Sequence, residues 1–526
     1  MTTRSAIEHR QPARICAGLV RAGTEDPESL AVVYGSRRTS YGDLLDRVAR
    51  LATVLQAAGL SPGDRAAMIA HNSDRYIEFY FAAIWAGGIM VPLNHRLSPC
   101  ELRDVFEDSQ PRVLLYDDAH QSKAQELLVQ DPTLVLISVG DEPGPGIPYE
   151  TALRQAEPCL DRSGSEEDTA LIVYTGGTTG TPRGVMLSHR NIVSNSLSTI
   201  PYLQLDASTT QLHLGPFFHL GAGQRIFSVT EVGGTHVVLG RFSVDGVLQT
   251  IEREKVTATV FVPTMMHRLL HHPELSAYDL RSLRYVSYGA APMPPALLRE
   301  FMARFSHCVV CQSYGQTECS PVATSLEHDD HLPDGPFGCK ADTVGRAVAH
   351  VTITIVDSNG SPLEPDTVGE ITVSGPNVMK GYWNNPQATR QVLRQGRLHT
   401  GDLGFMDADG FVTLVDRLKD MVVTGGENVY SVEVERILSQ HGAVVSAAVI
   451  GVPDPDFGER VHAIVHHHPG QSPDAGSIQD HCRAYLAGYK VPRSMDFTSS
   501  PLPLTSANKI DKRALKNRYR EAQGEA

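Results

Sequence analysis

The chain has no apolar run long enough to cross a bilayer, no surplus of basic residues and too few cysteines for a disulfide framework. Each absence removes a class of protein. The most apolar stretch, residues 79–91, is shorter than the ~20 residues a membrane helix needs and is closed by Pro92. Residues 1–10 lack the apolar centre of a signal peptide. No membrane span or secretory leader is expected. With 46 Lys and Arg against 60 Asp and Glu, the formal charge is −14, which disfavours nucleic acid or an anionic membrane as the main partner. Eight scattered cysteines in 526 residues read as reduced thiols of a cytoplasmic protein. Cys308 and Cys311 have the spacing of a zinc half-site, but Cys319 and Cys339 do not supply the second half. His466, His467 and His468 could bind a metal and are read instead as the end of a strand beside Pro469 and Gly470. Internal repeats and low-complexity tracts are also missing.

What is present has the texture of a large α/β protein. At 526 residues the chain exceeds one ordinary core, so at least two domains are expected. Between residues 30 and 510, short β-rich runs alternate with helical patterns; 65–70, 112–116, 134–138, 283–288 and 308–311 read as strands. Ser73 is placed to cap a buried helix over 74–86. Near residue 351 the texture changes. Residues 351–356, the turn 357–360 and residues 370–373 suggest a small antiparallel or barrel-like unit. Residues 416–420 carry no core pattern and mark a boundary, giving an N-terminal domain over 1–415, a hinge over 416–420 and a C-terminal domain over 421–526. In the last of these, 431–438 reads as an amphipathic helix capped by Ser431, with Val434, Ile437 and Leu438 on one face.

The densest chemical signal is residues 174–184, Tyr-Thr-Gly-Gly-Thr-Thr-Gly-Thr-Pro-Arg-Gly, which follow the apolar run 170–173. Gly176, Gly177 and Gly180 free the backbone to turn N–H groups toward an anion, Thr175, Thr178, Thr179 and Thr181 add hydroxyl donors, and Arg183 adds positive charge. Such a loop grips a polyphosphate. It is not a Walker loop, because the Gly-Lys-Ser/Thr ending is missing.

The loop resembles the phosphate-binding signature of the adenylate-forming superfamily, which includes acyl-CoA synthetases, peptide-synthetase adenylation domains and firefly luciferase. Two positions depart from that pattern: Gly176 stands for Ser, and Arg183 for Lys. Five further segments match in the family's order: Tyr288-Gly-Ala-Ala-Pro292, Gln312-Ser-Tyr-Gly-Gln-Thr-Glu318, His399-Thr-Gly-Asp-Leu-Gly404, Asp416-Arg-Leu-Lys419 and Pro503-Leu-Thr-Ser-Ala-Asn-Lys509. The resemblance implies doubly wound sheets with a barrel-like subdomain and a mobile C-terminal α+β domain, and it places an ATP site at residues 175–180, Arg183, Gly289, Ala290, Ala291, Pro292, Gln312, Ser313, Tyr314, Gly315, Gln316, Thr317, Asp402, Arg417 and Lys509.

The chemistry of these residues is consistent with it. Tyr314 can stack on adenine while Gly289, Ala290 and Ala291 let main chain approach, and Thr317 can donate to the α-phosphate. Glu318 is a hard carboxylate suited to Mg²⁺. Asp402 can accept from both ribose hydroxyls, and Arg417 would reach the ribose from the hinge side. By resemblance Lys509 is the mobile catalytic cation, with Asn508 where the family usually has Gly, and Lys419 is the pivot. Gly425 and Gly426 would line the thiol channel. Phe217, Phe218 and His219 resemble the segment lining the acyl pocket, with Phe261, Met265, Pro321 and Val322 as further walls; Met265 and Met266 fit ordinary helix core equally well. No acid occurs between Leu212 and Arg225, so an α-amino acid substrate is not expected.

The activity implied is that of an acyl- or aryl-CoA ligase. A carboxylate, ATP and Mg²⁺ form an acyl-adenylate, and CoA then takes the acyl group. Open alternatives are a carrier protein acting in trans as acceptor, another oxyanion as substrate, and a nucleotide-binding regulator without catalysis. A monomer or homodimer is expected.

Overall fold

The computed structural model describes residues 13–175, 182–291, 293–425, 427–468, 470, 473–505 and 509–523. Gly176, Gly177, Thr178, Thr179, Gly180, Thr181, Pro292, Gly426 and Asn508 lie outside the described residues. The chain divides into two compact units, Met1–Ile353 with Val373–Leu398 and Thr354–Thr372 with His399–Ala526. Residues 399–415 thus group with the C-terminal part.

The first unit holds two large sheets. One has nine strands with a parallel centre, running Val309–Tyr314, Tyr285–Gly289, Ala258–Phe261, Thr210–His213, Thr235–Val238 and Leu30–Tyr34, with antiparallel strands at both edges. The other has eight strands. Its parallel part orders Thr169–Thr175, Ile89–Pro92, Arg65–Ile69, Val113–Tyr116 and Val135–Ser138, with Arg183–Ser188 folding back antiparallel on Thr169–Thr175. Central strands buried on both faces explain why 65–69 and 113–116 read as continuous apolar runs rather than alternating ones.

Helix Asp74–Trp85 starts where expected: the Ser73 side chain accepts from the Tyr76 N–H at 3.2 Å. All twelve of its residues are buried, the charged ones included. That is tolerable because Arg37 pairs with Asp74 at 2.6 Å and Arg47 with Glu78 at 2.8 Å.

The second unit carries strands from the region where the texture changes, among them Arg397–Met406 paired antiparallel with Val412–Arg417. A five-stranded sheet built on Val444–Asp454 and Gly458–His467 follows, with helices Ser431–Leu438 and Ala475–Arg483 over an apolar core that includes Val434, Ile437, Leu438 and Ile478. One expectation fails here. Tyr430 precedes the helix and Ser431 is its first residue rather than its cap. The Ser431 hydroxyl donates to Asp416 Oδ1 at 3.0 Å and accepts from Lys512 Nζ at 2.6 Å. A buried carboxylate captures the side chain that would otherwise turn back on its own helix. All eight cysteines are free thiols. Among the described residues no helix is long and apolar enough to cross a membrane.

Candidate active site

The strands on either side of the Gly/Thr-rich segment pair antiparallel. Thr175 and Arg183 face each other across the antiparallel pair that brackets it, so hydrogen-bonded strands fix both ends of the loop. Arg183 then meets a residue far away in sequence: its guanidinium lies 5.4 Å over the ring of Tyr382. Tyr382 is held there because its short strand, Gly381–Tyr382, pairs with Arg183–Ser188, opposite Val185. The Tyr382 hydroxyl donates to Glu318 Oε1 at 2.8 Å. Burial, and next the charge of Glu318, raise the Tyr382 phenol well above its ordinary range, so it stays a donor. The Arg183 guanidinium, the Tyr382 phenol and the buried Glu318 carboxylate therefore form one connected set.

Glu318 sits in the short turn Thr317–Cys319 that follows strand Val309–Tyr314. A buried, oriented, hard oxygen donor of this kind fits Mg²⁺, which binds phosphates through one or two protein carboxylates. The neighbouring parallel strand Tyr285–Gly289 ends level with it, Gly289 opposite Ser313. Two glycines are obligatory at this edge. A Cβ on Gly289 would lie 2.4 Å from the Ser313 carbonyl oxygen, and one on Gly315, at φ +156°, would lie 2.0 Å from that of Pro321. The carboxyl ends of adjacent parallel strands are where ligands bind in such sheets. Tyr288 stands opposite Gln312 and Gly289 opposite Ser313 at that edge; Ala290 and Ala291 follow the one strand and Tyr314, which is half-buried, Gly315 and Gln316 end the other.

The expected acid-pocket residues divide. Phe217 has no exposed area: its N–H donates to Asn72 Oδ1 at 2.9 Å, its carbonyl accepts from the Tyr80 hydroxyl, and its ring packs edge-on to Tyr76 at 5.6 Å. Phe261 and Met266 are likewise fully buried in the core beneath the nine-stranded sheet, with Met265 packed at its margin. These side chains support a wall rather than form its surface. Phe218 is buried as well, its ring tilted 4.6 Å from that of the half-buried His219, and the Val322 carbonyl accepts from Asn195 Nδ2 at 2.8 Å.

His219 opens helix Leu220–Glu231, and that helix carries a residue the sequence did not single out. Arg225 is 5% exposed, yet no salt bridge reaches it among the described residues; Tyr202 and Cys311 are its charge neighbours. One amino group donates to Ser287 Oγ at 3.3 Å, and Nη1 is buried without a hydrogen-bond partner among the described residues. Burial depresses the guanidinium below the ordinary arginine range. An arginine in the apolar middle of a helix was the available signal, but its burial depends on which strands pack against it. Tyr382 left no signal at all, since strand pairing alone brings it to Arg183.

The second unit gathers the remaining residues. Asp402 and Arg417 are register partners and pair at 2.9 Å. The turn before Asp402 is braced by Thr400, whose hydroxyl donates to the Ile371 carbonyl at 2.7 Å and accepts the Asp402 N–H at 3.1 Å. Lys509 keeps much of its area exposed, but surrounding protein and then the charge of Arg417 lower its pKa, with Lys419 adding to the effect and Asp402 opposing it. Lys419 is depressed mainly by desolvation and, less, by Arg417. The cations Arg417, Lys419, Lys509 and Lys516 outnumber the carboxylates Asp402 and Asp420 here and make an anion-accepting surface. Gly425, at φ +60°, donates its N–H to the Phe457 carbonyl at 2.8 Å.

Comparison with known proteins agrees with this geometry. The family model described as AMP-binding enzyme matches residues 19–383, and that described as AMP-binding enzyme C-terminal domain matches residues 433–509. The chain is 38% identical over 505 residues to a feruloyl-CoA synthase of Amycolatopsis sp, covering 95% of this chain and 98% of that one. It is 33% identical over 494 residues to an indoleacetate–CoA ligase of Aromatoleum aromaticum, covering 93% and 95%. ATP-bound MatB from Rhodopseudomonas palustris superposes with a TM-score of 0.89 at 32% identity, covering 97% of this chain and all of that one.

Proposed function

Since the chain belongs to the AMP-binding enzyme family and is an adenylate-forming acid–CoA ligase using ATP, Mg²⁺ and CoA, we propose that its acid is an aryl or arylalkanoic carboxylate bearing a hydrogen-bond acceptor at the end remote from the carboxyl group. The observation that carries this is Arg225. A buried guanidinium with an unmet donor and no salt bridge among the described residues is costly in the free protein. An acceptor on the substrate would satisfy it. The two relatives are named for aryl acids, which supports the same class.

In this reading a carboxylate oxygen attacks the α-phosphorus of ATP, the bond to the β-phosphate bridge breaks, and pyrophosphate leaves. The loop at 175–180 and Arg183 hold the departing phosphates, Tyr382 keeps Glu318 oriented, and Thr317 donates to the α-phosphate. Mg²⁺ held by Glu318 would neutralise phosphate charge. Asp402 and Arg417 hold the ribose, and Lys509 stabilises charge growing on the α-phosphate and the attacking carboxylate. The CoA sulfur, losing its proton, then attacks the acyl carbon, and the carbon–oxygen bond to AMP breaks.

A hinge over 416–420, between domains at 1–415 and 421–526, exchanges Lys509 for the Gly425–Gly426 segment between the two steps, with Lys419 as pivot. Its support is that Asp416 is anchored by Ser431 whereas Lys419 is exposed. We assign the enzyme to the cytoplasm, where ATP and CoA are supplied, and expect a monomer or homodimer. The test is a panel of carboxylates scored by CoA-dependent AMP formation. Hydroxy- and methoxy-aryl acids should exceed their unsubstituted parents; equal rates would reject the acceptor requirement.

A further inference from the structure

Three histidines outside the catalytic machinery converge although they are far apart in sequence. The neighbouring parallel strands Ile89–Pro92, Arg65–Ile69 and Val113–Tyr116 each deliver one just past the carboxyl end: His95, His71 and His120. One ring nitrogen from each lies within 4.8 Å of the others, and ring centroids are 4.8 to 4.9 Å apart. Asp117 binds two of the rings at once. His71 Nδ1 lies 3.1 Å from its Oδ2, and His120 Nδ1 lies 2.5 Å from its Oδ1. The same carboxylate also accepts the His71 N–H at 2.8 Å. Both Nδ1 positions are thereby committed as donors, which leaves the Nε2 lone pairs of His71 and His120 for another partner. The backbone bearing His95 is tied down by Lys123, whose ammonium donates to the His95 carbonyl at 2.6 Å.

We propose that His71, His95 and His120 form a binding site for a divalent transition-metal ion of the zinc class, with Asp117 as the carboxylate that orients two of the ligands. Three imidazoles backed by a carboxylate are the donor set of a zinc site that keeps its fourth position open. Tetrahedral bonds of about 2.0–2.1 Å put donor nitrogens roughly 3.4 Å apart. The donor atoms, now within 4.8 Å of one another, therefore close by up to about 1.4 Å on binding, within reach of side-chain rotation. Neutral imidazole is the ligating form. Arg96 and Arg241 add positive charge nearby, which Asp117 partly offsets. The His95 ring also stands edge-on to Phe218 at 5.0 Å, so the site adjoins the segment ending in His219. A bound ion would clamp that segment to three strand ends.

The test is metal binding by untagged, full-length, chelator-treated protein, with Zn²⁺ followed by calorimetry and Co²⁺ by its visible absorption. The expected result is one tight equivalent, a tetrahedral Co²⁺ spectrum and a rise in melting temperature with added Zn²⁺. His95→Gln and His71→Gln should each abolish the Co²⁺ spectrum, and Asp117→Asn should weaken Zn²⁺ binding about 10- to 100-fold. His267→Gln, in the stacked pair with His271, and His467→Gln should leave both readouts intact. Circular dichroism establishes that each variant is folded. Absence of a Co²⁺ spectrum in the parent overturns the proposal. So does a spectrum that survives in both His95→Gln and His71→Gln, or that is lost in His267→Gln or His467→Gln.

Discussion

Replacing Arg225 by Met separates a binding role from a structural one, because the two predict opposite changes in stability. Met approximates the length and bulk of the arginine stem but carries no charge. In the free protein Arg225 leaves Nη1 unmet, makes one 3.3 Å contact to Ser287 and has no carboxylate partner among its charge neighbours. An unmet buried donor costs about 1–3 kcal/mol, and exchanging a buried charge for a packed apolar side chain is often stabilising by a similar amount. Arg225→Met is therefore expected to raise the melting temperature by a few degrees. If the guanidinium meets an acceptor on the acid, the same change removes a charge-assisted bond of about 1.5–3 kcal/mol, equivalent to roughly 10- to 150-fold in acid kcat/KM. The assay is pyrophosphate release at varied acid and fixed saturating MgATP, beside calorimetric melting. The KM for ATP should stay within about twofold, since Arg225 is assigned no nucleotide contact. A variant that melts lower and keeps the parental acid kcat/KM would show that Arg225 braces Ser287 and that the acceptor argument is wrong.

Lys509→Ala should lower adenylation by about 10²–10³ while thioester formation from supplied acyl-adenylate persists; equal loss in both half-reactions would remove Lys509 from its role. Arg183→Lys should retain ATP turnover, and Arg183→Ala should raise the KM for MgATP. An alanine variant indistinguishable from the parent would mean that Arg183 serves only to stack on Tyr382. Burial holds His189 neutral with a pKa of about 4, against 6.5 for a free histidine, and the ring accepts the Ile15 N–H at 3.3 Å. A depressed histidine pKa gives stability that is fully present above about 6.5 and is lost as pH falls toward 4. Between pH 7 and 5 the parent should therefore lose about 2 kcal/mol more than His189→Gln in denaturant titrations, and identical slopes would dismiss this origin.

Sequence alone determined the elements and the kind of chemistry. Alternating apolar runs and helical periods specify an α/β chain, Ser73 marks a helix start through a bond to Tyr76 three residues on, and the glycines and threonines after residue 174 have the composition of a phosphate-binding loop. These are local statements, carried by turn chemistry and by the period of side-chain direction. The ordered series of segments from 174 to 509 added the family because nucleotide chemistry needs those residue types at strand ends. Tertiary structure decided what meets what. In the eight-stranded sheet the strand 65–69 lies between 89–92 and 113–116, an order the chain does not follow, and only that order brings His71, His95 and His120 together. Strand pairing, not spacing, sets Tyr382 between Arg183 and Glu318. Ser431 has the residue type of a cap, but a buried Asp416 claims its hydroxyl. Arg225 likewise has nothing local to mark it as buried. Strand order, register and burial arise from long-range packing, which residue periodicity along one segment does not encode.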